Sequence, residues 1–203
     1  MRYAIHLALL AMAANLGACA NLTAPQDAFY TGAKTSLIAE GRTASPPPGF
    51  ISFCMHNLAR CQDNDAAAPS QLALTAENRS MLEAVNERVN RAIAYKGDRE
   101  NWSVANFWNL DALGKSGDCK DYALAKQQVL IAAGLPQKVL RIAIVKTPKN
   151  ELHAVLTVDT DQGAFVLDSI NPQIMPWTET SYSWLSRQSA QNPLAWVTIA
   201  SAY

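Results

Sequence analysis

The hydrophobic period of this chain changes near Gly134-Leu135-Pro136, and that change constrains the order in which a fold can be assembled. Upstream, apolar residues recur at helical steps. Met81, Leu82, Val85, Val89, Ala92 and Ile93 lie three or four apart and predict a helix with one apolar face. Thr75 supplies an N-cap, Glu77 an acidic first turn, and Gly97-Asp98 an end. A second helical pattern follows the turn signal Gly117-Asp118. Its inner side carries Tyr122, Ala125, Val129 and Ala133, with Leu130 beside them, and Gly134 with Pro136 stops it. Cys119 therefore falls in a first helical turn. Downstream, residues 139–145 are rich in β-branched side chains and read as a strand. Residues 152–158 and 164–167 read as a hairpin around Thr160-Asp161-Gln162-Gly163, and 196–200 as a last strand. N-terminal helices packed on an antiparallel sheet make this an α+β domain. The stretch 101–116 reads as irregular, anchored by buried Trp102, Phe107 and Trp108. Trp177 and Trp184 read as core filler or as a recognition patch.

The 203 residues suffice for one ordinary domain with a real core. Lys+Arg and Asp+Glu balance at 17 each, without a basic run. Nucleic acid is thus not an expected partner, and neither is an anionic membrane surface. Arg2 followed by an apolar stretch over 4–16 has the form of a signal peptide, too short to span a bilayer. Residues 1–20 form this signal. Ala18-Cys19-Ala20 suits an ordinary signal peptidase, whereas Leu16-Gly17-Ala18-Cys19 resembles a lipobox that would leave a lipid anchor at Cys19. The competing reading is a buried N-terminal helix. Export places the protein in the periplasm or cell envelope. Residues 21–49, ending in Ser45-Pro46-Pro47-Pro48-Gly49, read as a proline-rich tether or surface arm, and 50–203 as the domain proper. Residues 62–70 read as a loop.

In an oxidising compartment Cys54 and Cys61, seven positions apart, are expected to pair. A zinc site from Cys54, His56 and Cys61 is the alternative, though no fourth ligand is near. Pairing leaves Cys119 as an odd thiol, the kind of cysteine that merits attention as reactive.

A thiol attacks as thiolate, so its pKa must be brought below the ordinary ~8.5. A helix N-terminus and a neighbouring imidazolium both do this. Of three histidines, His6 leaves with the signal and His56 sits in the cysteine loop, so His153 is the partner. The hairpin supplies a third member. A loop at Thr160-Asp161 puts His153 opposite Asp168, a loop at Asp161-Gln162 makes them diagonal neighbours on the same face, and an odd-length loop would put them on opposite faces. Asp168 can then hold one ring nitrogen while the other addresses Cys119. Ordinary structural roles for a helical cysteine, a strand histidine and an aspartate near Asn171-Pro172 compete with this reading.

Residues 117–124 (Gly-Asp-Cys-Lys-Asp-Tyr-Ala-Leu), 152–156 (Leu-His-Ala-Val-Leu) and 165–168 (Phe-Val-Leu-Asp) resemble the core motifs of the bacterial transglutaminase-like cysteine peptidases, the family of the LapG-type periplasmic proteases. Pro48-Gly49-Phe50 with the Phe53-to-Cys61 segment resembles its opening motif, and 182–189 its tail, so the likeness spans roughly 46–200. The resemblance implies a papain-like, transglutaminase-like core with Cys119 as nucleophile, His153 as base and Asp168 as orienting carboxylate. It also implies proteolysis in the periplasm, with a surface adhesin or other envelope protein as substrate, and calcium beside the cysteine. Here the chain departs from the pattern. Calcium-binding members carry an acidic residue just after the cysteine; this chain has Lys120, leaving Asp118 and Asp121 beside a cation. No cofactor is therefore expected as a requirement. Two other functions fit the same residues: an amidase or acyltransferase acting on cell-wall material, and a catalytically silent binding module. The triad pattern alone does not separate hydrolysis from transamidation.

Overall fold

The computed structural model describes residues 35–62 and 67–200. The signal segment 1–20, Cys19 with its lipobox, and the tether up to residue 34 lie outside the described residues.

The chain opens on strand β1 (Glu40–Ala44), followed by short helices α1 (Phe50–His56) and α2 (Leu58–Cys61). Helix α3 (Ala76–Ala92) leads through β2 (Ala94–Tyr95), α4 (Asp98–Trp102) and β3 (Ser116–Gly117) into α5 (Cys119–Ala132). Strands β4 (Leu140–Lys146), β5 (Leu152–Thr160), β6 (Gly163–Leu167), β7 (Met175–Pro176), β8 (Ser183–Gln188) and β9 (Trp196–Ile199) follow. Seven strands make one sheet in the order β1-β9-β8-β4-β5-β6-β7, antiparallel throughout. The expected α+β class, helices against an antiparallel sheet, is the fold.

Alternation divides the strands between two cores. Leu140 and Ile142 of β4, Ala154, Leu156 and Val158 of β5, and Phe165 and Leu167 of β6 face the helices. Ala143, Val145, Val155, Ala164 and Val166 face the other way, against Ile38, Trp177 and Ile199. Helix α3 starts and buries its face as its period predicts: Thr75 caps it by accepting from the Asn78 amide, and Leu82, Val85 and Val89 are buried; it ends at Ala92, however, and Gly97-Asp98 instead opens α4. Helix α5 does not follow its period. Residues 120–127 are all buried, while Ala133 is exposed, because α5 is covered by β5 on one side and by α3 on another. An amphipathic reading fails for a helix enclosed on several sides.

The second half of the segment read as tether is built into the domain. Strand β1 pairs with β9, Ile38 is buried, and the Glu40 carboxylate accepts from Arg141 (2.6 Å) and from the Ala190 amide (2.8 Å). Arg141 and Arg187 in turn share Asp159 under the sheet. The proline run packs as well: Trp108 donates through Nε1 to the Pro48 carbonyl (3.0 Å). Gly49 has φ +79°, and a Cβ there would sit 1.8 Å from the Asn106 carbonyl oxygen, so this corner admits only glycine. Composition reads a tether or a surface arm; the backbone partners of β1 lie about 150 residues away, where no local pattern can show them.

Other expectations change or are resolved. Trp108 is buried, but Trp102 and Phe107 are exposed and pack on each other, ring centroids 5.2 Å apart. Strand β8, where the sequence pattern predicts no strand, joins β4 to β9. Trp177 and Trp184 meet edge-on at 5.6 Å; Trp177 is buried in the second core and Trp184 is half-buried against it, which favours filler over a patch. Cys54 and Cys61 form a disulfide, and His56 turns its Nδ1 to the Ser52 carbonyl, which removes the zinc alternative.

Candidate active site

Helix α5 begins at Cys119 because Asp118 caps it. The Asp118 carboxylate accepts from the Lys120 amide, and the Asp121 carboxylate reaches back to the Asp118 amide, a reciprocal capping box. Three residues earlier, β3 pairs with β2 and delivers the chain to this turn. Cys119 is half-buried and is the free thiol among the described residues.

The hairpin adopts the Asp161-Gln162 loop, since Thr160 pairs with Gly163. His153 at the start of β5 and Asp168 just past β6 are thus diagonal neighbours, and His153 Nε2 lies 2.7 Å from Asp168 Oδ1. The second Asp168 oxygen accepts from the Tyr182 hydroxyl, and the Ile170 amide donates to Oδ1 at 3.0 Å. Burial works against the charge on Asp168, but these three donors hold its pKa below the ordinary carboxylate value. His153 is 5% exposed. Burial pulls its pKa down, yet the hydrogen bonds to Asp168 and to Cys119 carry it to about 9. The structure therefore brings Cys119, His153 and Asp168 into one cluster. Behind it Lys126, 1% exposed, is pushed by burial to about 7 against the attraction of Asp168.

Clefts open on both sides of Cys119. One, of about 360 Å³, has Pro46, Pro48, Trp108, Ile144 and Leu152 among its walls. The other, of about 460 Å³, is lined in part by Tyr95, Tyr122, Glu151 and Ile170. An extended chain could cross the thiol from one to the other.

Asp118 and Asp121 lie with Asp98 in a group whose carboxylate oxygens are within 4.8 Å of one another. The Lys120 ammonium sits among them, 2.7 Å from Asp98 Oδ2 and 2.6 Å from Asp118 Oδ2. Burial pushes Asp121 up to about 6, although the Asn109 amide donates to it. Burial also raises Asp118, outweighing its bonds to Lys120, while those bonds and Asp98 raise Lys120.

Asp98 and Tyr182 were not singled out as site residues. Tyr182 opens the 182–189 motif, so a signal existed for it. Asp98 meets Lys120 across 22 positions, and nothing local announces it.

Residues 40–203 match the family described as bacterial transglutaminase-like cysteine proteinases, and the chain belongs to that family. Solved structures point to the same fold. Calcium-bound LapG of Legionella pneumophila is similar at 23% identity and a TM-score of 0.50, over 64% of this chain and 74% of that one. EGTA-treated LapG of the same organism is similar at 23% identity and a TM-score of 0.51, over 64% and 72%. No match was found among curated proteins. The fold is thus the transglutaminase-like one of the cysteine proteinases, and among the described residues no helix is long and apolar enough to cross a membrane.

Proposed function

We propose that this chain is an exported cysteine endopeptidase that hydrolyses a peptide bond in a cell-surface or periplasmic protein, a surface adhesin being the kind of substrate the family suggests. The observation that carries the reading is the position of His153, hydrogen-bonded to Asp168 and lining both clefts together with Cys119 at the head of α5.

Asp168 accepts from Nε2 and so leaves Nδ1 of His153 for the sulfur. A proton moves from Sγ to Nδ1, and the imidazolium beside a helix N-terminus stabilises the thiolate. Sγ attacks the scissile carbonyl carbon, its oxygen becomes an oxyanion, and the backbone N–H of Cys119, first residue of α5, is the donor assigned to it in this reading. As the tetrahedral species collapses, His153 returns its proton to the leaving amine and the C–N bond breaks. Water, deprotonated by His153, then attacks the thioester and releases the acid and the thiol. Asp168 keeps the ring oriented throughout, and Tyr182 keeps Asp168 oriented.

LapG is described both as calcium-bound and as EGTA-treated, which raises the question of calcium here. Asp98, Asp118 and Asp121 are the residues that would face such an ion. They do not fit it, because every one of their oxygens except Asp98 Oδ1 is already engaged by a protein donor, and no step above passes through a metal.

The test is the rate of Cys119 alkylation by iodoacetamide from about pH 4 to about pH 9. The native chain should label fast at the acid end, and His153→Ala should slow that labelling roughly 10²-fold or more. A rate that climbs only near the ordinary thiol pKa, and is the same in the variant, would overturn the proposal. New N-termini among envelope proteins exposed to the native chain but not to Cys119→Ala would then identify the substrate.

A further inference from the structure

We infer that the Lys120 ammonium is a built-in replacement for a divalent cation, so that the loop around Cys119 holds its shape without calcium. The inference stands on the acidic cluster and does not depend on the proteolytic reading.

Three carboxylates converge beside the cleft, an arrangement that ordinarily demands a cation. The side chain that reaches into it comes from the second residue of α5, where a positive charge opposes the helix dipole and would ordinarily be unfavourable. Its placement makes sense through the carboxylates alone. Lys120 is 8% exposed, with its ammonium bonded to Asp98 and Asp118 together.

Calcium takes six to eight oxygen ligands. Here Asp98 Oδ2 accepts from Lys120 and from the Phe107 amide at 2.8 Å, and Asp118 Oδ1 and Oδ2 accept from the Lys120 amide and ammonium. Asp121 Oδ1 and Oδ2 accept from the amides of Asn109 and Asp118. Of the six carboxylate oxygens, Asp98 Oδ1 alone is buried without a partner. An ion would have to expel the ammonium to gain more. The same bonds explain why the cation matters. Through Asp98 the ammonium holds the Phe107 amide, next to Trp108 in the cleft wall, and through Asp118 it holds the cap of the helix that begins at Cys119. Lys120 is a positioning residue in this scheme, not a catalytic one.

The experiment compares thermal melting of the purified chain in EGTA and in millimolar calcium, with calorimetric titration of calcium, for the native protein, Lys120→Gln and Lys120→Arg. The native melting temperature should move by less than about 1 °C between the two buffers and give no binding heat. Lys120→Gln should melt lower in EGTA by on the order of 10 °C, having left buried carboxylates unpaired, and calcium should restore most of the loss. Lys120→Arg should keep most of the native stability and ignore calcium. Native protein that calcium stabilises by several degrees would overturn the inference, and so would Lys120→Gln that is as stable as native in EGTA. Lys120→Gln whose loss calcium cannot recover would overturn it too, by showing that the cavity does not take a divalent ion. If Lys120→Gln does not fold, the native titration still decides. None of these readouts involves peptide cleavage, so they can fail while the peptidase reading holds, and the reverse.

Discussion

The two walls that meet at Cys119 handle buried charge in different ways. On the sheet side, Tyr182, Asp168 and His153 form a chain of hydrogen bonds that ends on a ring nitrogen free to face the thiol. On the helix side, Asp98 and Asp118 share one ammonium, Asp121 beside them accepts from two backbone amides, and a single oxygen of the three carboxylates is left unpaired. Both arrangements pair charge away from water, as burial requires. The first keeps one group available and can do chemistry. The second consumes nearly all its donors and acceptors internally, and its effect is geometric.

The strongest way to break this comparison is Asp168→Asn. If the sheet wall works by orienting the ring, an amide that donates where the carboxylate accepts should reverse the tautomer. Labelling of Cys119 at mildly acidic pH, and any peptidase activity, should fall by roughly 10²-fold to 10⁴-fold with the fold intact by circular dichroism. A fall of a few-fold would mean that Asp168 is only a turn residue.

Stability against pH separates the walls more finely. His153 is raised from 6.5 to about 9, so its pairing stabilises the fold fully below about pH 6.5 and is lost as pH rises toward 9. Lys126, lowered to about 7, acts in the opposite direction over part of that range, so the readout is the difference between native and His153→Ala. That difference should shrink by on the order of 2 kcal/mol across the window, read by urea unfolding. Asp121 is raised from 3.8 to about 6, so the folded state takes up a proton first and stability should rise as pH falls from 6 toward 4. Asp121→Asn should flatten that acid slope and leave the alkaline one unchanged. Alkaline loss of equal size in His153→Ala would remove the case for a charged pair.

The smallest effect expected is that of Tyr182→Phe. It deletes one hydrogen bond to a buried carboxylate and should cost about 1–2 kcal/mol by urea unfolding. Cys119 labelling should slow only a few-fold, because the Ile170 amide and His153 still hold Asp168. A loss as large as that of Asp168→Asn would make the tyrosine a full member of the sheet wall.

Much of this site was legible because it is carried by local patterns. An even-length turn puts His153 and Asp168 on one face and an odd-length one does not, and the loop that forms is an even one. The cap at Thr75 and the turn before Cys119 were readable for the same reason: each is made by residues within a few positions. Trp102 and Phe107 were misread because aromatic character alone does not say whether a loop turns its side chains inward.

What the sequence determined by itself is whatever depends on period, spacing and chain order: helices before strands, a cysteine at a helix start, a histidine and an aspartate on the two arms of one hairpin. Tertiary structure alone decided that β1 closes the sheet, that α5 is buried on nearly every side, and that Lys120 turns into the carboxylates rather than out to water. The reason is physical. Periodicity records which face of one element is apolar, but pairing and desolvation are properties of two elements at once. Asp98 and Lys120 acquire their relation only when α4 and α5 are brought together.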